Sequence, residues 1–444
     1  MRNFTLLFFC VPFFVFGQLS SEQENEISKF QGIIGSDVHD SIKVNALINW
    51  DNIIYSFDPV QDSTILQRII SLCRNNLEKK LTAQEKRFFT IELADGLNYL
   101  GASATGLGHY KFAIQQFKKA IPFYHQAGIT KGLDGCTINL GTALYDDGNI
   151  QEAIIQFNAG IKLTDKTGNE QYKANALMSL GNIYLDLDQI DKSLEYFHKA
   201  NKLALELEAK SSIEVIYLNM GNAYLKKGDL DSSLFCYSTS LQYGKELNDD
   251  YTMGTTLNNL GEVHLKLGNM DSSFYYYNAG MAIRTELNLQ SDLIYSYAGL
   301  SSWYTQQKNG KKAVEWGEKA LNLSKNFESF VHVVPAASSL YEAYSMNGQF
   351  EKSLTTYITL QNAKDSLQSR TNQKELLNQE VQYEYEKSKI VDSLAFAQQK
   401  EIDDLAREKD KEKEAQEKKI TASINLCFKE KRCKSYENCS SSRK

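Results

Sequence analysis

Proline is scarce, four in 444 residues, and a chain with so few helix breakers is not built from turns or polyproline linkers. Positive charge is not in excess: the net charge is -6 and no basic patch stands out, which gives nucleic acid no footing as a partner. The six histidines, His39, His109, His125, His198, His264 and His332, have neither metal-ligand spacing nor a nucleophile beside them. Paired acids such as Asp146-Asp147 and Asp249-Asp250 fall at turns and links, where capping and solvation favour them. The expectation is therefore no enzyme, no cofactor and no metal. Cysteine is thin as well: Cys73, Cys136 and Cys236 are widely separated and read as core thiols rather than a disulfide framework.

Long apolar runs are missing except at the very start, where Phe4 to Phe16 follow one arginine and lead into Val15, Gly17 and Gln18. That pattern fits a secretory signal over residues 1–17, too short for a comfortable membrane span. An exported, periplasmic or envelope location is expected.

What the sequence has in abundance is self-similarity. Leu100, Leu140, Leu180, Met220, Leu260, Leu300 and Leu340 recur at steps of 40 residues, seven units in one register. Directly after this anchor stand Gly101, Gly141, Gly181, Gly221 and Gly261, then Ser301 and Tyr341. Apolar residues three before the anchor, at it and four after it form the stripe of an amphipathic helix. The glycine is expected to let another backbone approach closely. Eight past the anchor, Gly108, Gly148, Gly228, Gly268 and Gly348 supply a helix stop, with Asp188 and Lys308 as exceptions.

A second stripe follows in each unit, as in Ile190, Leu194 and Phe197, with small residues Ser193, Ser233 and Ser273 beside it. Acids such as Asp191, Asp231, Asp271 and Glu351 open it, complementing the helix dipole. Glycines and lysines in "NMGNAYLKKGDLDSSLFCYS" hint at a phosphate cradle, but the context of strand, Lys and Ser or Thr is absent. They belong to the repeat instead.

Leu180-Gly181, Tyr184, Ser193, Phe197 and Ala200 resemble the tetratricopeptide signature over roughly residues 86–365. The resemblance implies an all-α solenoid of seven helix-turn-helix repeats, with six residues beyond the usual unit lengthening the second helix and the link. It is similar to the 40-residue arrays of kinesin light chains, polarity adaptors and bacterial peptide-sensing regulators. Residues 40–85 fall out of register and read as a degenerate capping repeat. Residues 18–39 read as a loose leader.

From 366 to 420 the chain is charged and free of glycine and proline. Leu377, Val381, Val391, Ala395, Ile402 and Leu405 fit heptad core positions, interrupted by Glu384, Ser388 and Gln398. A solvated single helix and a weak homodimeric coiled coil both satisfy that pattern. The stretch resembles the connector of bacterial signalling proteins that continue into a membrane span and a kinase, helix-turn-helix or cyclase output. Here the tail over 421–444 has no transmembrane span. A short soluble form and a truncated or frame-shifted gene are both compatible with it. Cys427, Cys433 and Cys439 lack zinc spacing.

In this family the residues two past the anchor face a concave groove, which implies a protein or peptide ligand there. Thr142, Asn182, Asn222 and Glu262 hold that position, and Tyr145, Lys226 and Lys266 lie in the neighbouring row. Asn182 and Asn222 each offer a donor and an acceptor to an extended backbone. The change from Asp146 and Asp186 to Lys226 and Lys266 predicts a groove acidic at one end and basic toward the middle. Two functions fit: the sensory part of an envelope signalling protein, and a structural scaffold without output.

Overall fold

A computed structural model describes residues 19–55, 57–327, 329–367 and Lys409. The chain divides into two units, Met1–Leu377 and Asn378–Lys444, and the repeats lie in the first. The expected signal over 1–17 and tail over 421–444 fall outside the described residues, as does the charged helix over 366–420 apart from Ser366, Leu367 and Lys409.

Among the described residues the chain is all helix, without a strand. The first helix, α1 (Ser21–Gly35), occupies the stretch expected as a loose leader. Ser20 Oγ accepts the Gln23 amide while the Gln23 side chain accepts the Ser20 N–H, a capping box that satisfies two otherwise orphaned donors. Its buried Ile27 and Ile34 then pack the helix onto α2 (Asp40–Ile54). The helix α3 (Pro59–Leu77) starts at Asp58, whose carboxylate accepts the Val60 and Gln61 amides, with Pro59 pre-set for the first turn.

Seven helix pairs follow. They are α4 (Ala83–Gly106) with α5 (Tyr110–Ala127), α6 (Leu133–Asp146) with α7 (Ile150–Thr167), and α8 (Glu170–Asp186) with α9 (Ile190–Glu206). Next come α10 (Lys210–Lys227) with α11 (Leu230–Leu247), α12 (Asp250–Lys266) with α13 (Met270–Glu286), and α14 (Gln290–Gln306) with α15 (Gly310–Ser324). Last is α16 (Phe330–Met346) with α17, residues 350–367. The extra residues of the 40-residue unit do not lengthen the links. Only two residues part α11 from α12 and three part α9 from α10, so the additional length is helical.

What approaches the glycine beside each anchor is an aromatic ring of the second helix, not a backbone as the sequence suggested. A Cβ on Gly101, Gly141, Gly181, Gly221 or Gly261 would lie 2.7, 3.0, 2.5, 2.5 or 2.7 Å from the ring of Phe117, Phe157, Phe197, Tyr237 or Tyr277. All five rings are buried. In three units a serine closes the same contact: Ser193, Ser233 and Ser273 donate to the carbonyls of Gly181, Gly221 and Gly261 at 2.8, 3.0 and 2.8 Å. The sixth unit inverts the arrangement. Ser301 replaces the glycine and donates to the Ala313 carbonyl at 2.8 Å, while Gly317 replaces the ring. A Cβ on Gly317 would meet Leu340 Cδ1 at 2.9 Å and Ser301 Oγ at 3.0 Å, so the ring is gone from this gap and Leu340 of the next first helix closes on the glycine instead.

The left-handed residue after the first helix recurs in every unit, including the two exceptions. Asp188 and Lys308 adopt φ of 62° and 57° although they carry a Cβ, alongside Gly108, Gly148, Gly228, Gly268 and Gly348. A second left-handed position follows the second helix at Gly128, Gly168, Glu208, Asn248 and Asn288.

The backbones of consecutive first helices approach closely all the way from α4 to α16, whereas from α5 to α15 those of second helices do not, and the Lys118–Glu152 ion pair at 2.8 Å reaches from α5 to α7. Spacing that is tight on one side and open on the other curves the stack, and the first helices form its inner side. Gly181→Ala tests the ring contact, because helix propensity alone favours alanine by about 1 kcal/mol while overpacking costs about 1–3 kcal/mol. Urea unfolding is expected to show a loss of stability, partly recovered by adding Phe197→Leu; a gain would mean that the ring does not constrain this position.

Candidate functional site

The inner row is sewn together by polar side chains reaching from one first helix to the next. Asn139 Nδ2 donates to Asn98 Oδ1 at 3.2 Å, Gln171 Nε2 to Ser212 Oγ at 3.2 Å, Tyr145 OH to Asp186 Oδ2 at 2.7 Å and Lys226 Nζ to the Leu185 carbonyl at 3.0 Å. Each spans 41 residues, one repeat and one position. Side chains committed to this ladder are structural first.

That commitment sorts the sequence candidates. Thr142 is buried and returns its hydroxyl to the Ile138 carbonyl of its own helix, so it does not face a groove. Tyr145 is held by Asp186, and burial followed by that carboxylate raises its hydroxyl well above the usual tyrosine range. Asn182 is half-buried, and among the described residues its amide has no hydrogen-bond partner. Asn222, Lys226, Glu262 and Lys266 converge on one cavity of about 660 Å³ between α10, α12 and α14.

Asn222 is the hub of that cavity. Its Oδ1 accepts Tyr237 OH at 2.7 Å and Asn259 Nδ2 at 3.0 Å, which leaves its own amide N–H groups pointing away from both. The expected basic stretch is compensated by acids: Lys226 pairs with Asp188 at 2.8 Å and Lys266 with Glu262 at 3.5 Å. Toward the other end, burial pushes Asp146 up to about 6, and burial with the nearby Asp95 pushes Glu92 up to about 7. The acidic end is thus less charged at neutral pH than the letters imply.

Several lining residues escaped the sequence reading: Thr255, Asn258, Asn259, Arg284, Asp292 and Tyr295. A signal existed for three of them. Asn258 and Asn259 directly precede the Leu260 anchor, and Arg284 occupies a buried second-helix position held elsewhere by Tyr124, Thr164, Ala204, Gly244 and Ser324. Outside the cavity, His264 takes the tyrosine slot and repeats its packing. It stacks on Tyr276 at 5.2 Å as Tyr184 stacks on Tyr196 at 5.3 Å two units earlier.

No group of metal-ligating side chains is present among the described residues, and no described helix is long and apolar enough to cross a membrane. The three described cysteines are buried free thiols.

Two family models, each described as tetratricopeptide repeat, match residues 174–206 and, in overlapping stretches, 212–286 and 252–326. The chain carries tetratricopeptide repeats. No curated protein matches it. Among solved structures it is similar to the apo quorum sensor NprR from B. thuringiensis, at 16% identity and a TM-score of 0.59, covering 77% of this chain and 97% of that one. It is also similar to the Rap conjugation gene regulator of plasmid pLS20 in complex with the Phr* peptide, at 16% identity and a TM-score of 0.51, covering 79% and 97%. At such identities the likeness is one of fold, a tetratricopeptide-type α-solenoid.

On α10, two turns before the cavity, Glu214 is only 1% exposed and neither carboxylate oxygen has a partner. Room for it comes from Gly244, where a Cβ would lie 2.6 Å from Glu214 Oε1. Burial, helped by Asp249, raises its pKa to about 8. Since the folded value exceeds the unfolded one, near 4.3, stability is full below the lower value and declines as pH rises toward about 8, by at most ~1.4 kcal/mol per pH unit. Glu214→Gln removes this titration, so in chemical unfolding the variant should gain on the parent between pH 5 and 8. Parallel pH profiles for the two proteins would show that Glu214 is not buried in its charged form's disfavour.

Proposed function

We propose that the chain binds an extended peptide or protein segment along the row of first helices, centred on the cavity between α10, α12 and α14, and that it carries out no catalysis of its own. The observation that carries this reading is the half-buried amides of Asn182 and Asn222, one repeat apart on the inner row. Asn182 offers a donor and an acceptor, the pair an extended backbone presents in return, while Asn222, whose oxygen already accepts two bonds, offers its N–H groups to a backbone carbonyl. The similar fold of the pLS20 regulator holds a peptide, which supports the same use of this one.

Asn182→Ala combined with Asn222→Ala tests the site. A pool of random hexapeptides is passed over the immobilised full chain, and the double variant is expected to retain roughly tenfold less, the effect of losing one to two net hydrogen bonds. Equal retention with equal thermal stability would place binding elsewhere.

We further propose that this binding is sensory, in an exported protein of the bacterial envelope whose signal is passed on through the charged segment after residue 365. The apolar start over Phe4–Phe16 and the resemblance of the array and its charged extension to membrane-anchored signalling proteins support that context. Amino-terminal sequencing of the chain from an envelope fraction should find Gln18 as its first residue. Recovery from the cytoplasm with Met1 in place would overturn export.

A further inference from the structure

Arg284 projects from α13 into a position that the other units from α5 to α15 fill with an uncharged residue and that the last unit gives to the exposed Lys364, and it is 3% exposed. Both of its hydrogen bonds leave from Nη1 and end on uncharged acceptors, the Asp292 carbonyl at 3.0 Å and Ser296 Oγ at 2.9 Å. Its Nε has no partner, and neither has Oδ1 of the equally buried Asn258 on the same cavity wall. Among the described residues no carboxylate lies within ion-pair distance of it, whereas the neighbouring lysines are already held, Lys226 by Asp188 and Lys266 by Glu262. Asp292 sits in the first turn of α14, where the helix dipole holds its carboxylate.

Burial lowers the guanidinium only to about 10, opposed by the Asp292 carboxylate acting through space, so it stays cationic at neutral pH. A buried cation without a directly paired carboxylate is costly, and a cavity beside it is where that cost is recoverable. The planar fork of arginine matches a carboxylate, and asparagine amides around it supply further donors.

We propose that this cavity takes a carboxylate of the bound peptide, recognised by Arg284. The inference rests on the peptide-binding reading above and adds the chemical class of the ligand. The carboxylate comes either from an Asp or Glu side chain or from the peptide's C-terminus. Positional hexapeptide pools, each made as free acid and as C-terminal amide, are passed over the immobilised full chain. Pools fixed as Asp or Glu should bind roughly tenfold or more tightly than their Asn or Gln counterparts, or free acids than amides by the same factor; which of the two occurs names the source.

Arg284→Met should abolish the preference. Asn258→Asp keeps Arg284 and places a carboxylate in the cavity itself, so it should abolish the preference equally and decides the matter if Arg284→Met fails to fold. Peptides retained without an acidic preference, or a preference that survives Asn258→Asp, would overturn the carboxylate while leaving peptide binding intact. Retention of no pool by the unaltered protein would overturn both.

Discussion

An aromatic ring lying on a bare helix backbone sets the distance between the two helices of nearly every unit, and the rest of the array is arranged around that distance. Phe117, Phe157, Phe197, Tyr237 and Tyr277 each sit where a Cβ on the facing glycine would overlap them. With the pair spacing set, the second helix presents its other face to the next first helix, and stacking follows. The inversion in the sixth unit shows what is conserved. With Ser301 and Gly317 the ring is absent, Leu340 closes on the glycine, and the hydroxyl bond is retained with its direction reversed. The requirement is close contact and a satisfied carbonyl, not a particular residue.

Because the second helices stand apart, with exposed ion pairs such as Lys118–Glu152 as their reach to one another, the polar cost of the array falls on the inner row. There, buried and half-buried amides are paired from one helix to the next, as Asn98 with Asn139 and Asn222 with Asn259. Pairing of this kind contributes little net stability but is expensive to leave undone. It therefore separates side chains that hold the stack from those with capacity to spare. Tyr145 and Lys226 belong to the first group, Asn182 to the second, and Asn222 to both.

Seven units, the helix pairs and the left-handed stops were legible because a period of 40 residues repeats each physical requirement several times. A single glycine says little, but five in register say that something passes close by. What passes was not legible, since ring and glycine are 16 residues apart on different helices and only packing brings Phe197 over Gly181. The helix α1 was missed because its cue is a single capping box at Ser20 and Gln23 with two buried isoleucines, and nothing repeats it. Within the site, charge was legible and its compensation was not. Lys226 reads as a free cation until Asp188, left-handed at the end of α8, is seen beside it.

The same pair of core positions explains how two consecutive units bury a long charged side chain. In one, Glu214 on the first helix lies against Gly244 on the second; in the next, Gly254 on the first helix lies under the stem of Arg284 on the second. The glycine and the long side chain have exchanged helices. In these two units a glycine opposite makes room for a long charged side chain, while in the first unit Tyr124 enters opposite Ala94, so a small residue across the layer is the condition for entry. That condition lets a repeat array vary its chemistry locally while every other unit keeps its packing. It also places the acid on the helix that lines the inner row and the base on the helix behind it, and the two long buried charged side chains with unpartnered atoms, Glu214 and Arg284, consequently belong to adjacent units on either side of α12, the helix that carries Asn258 and Asn259.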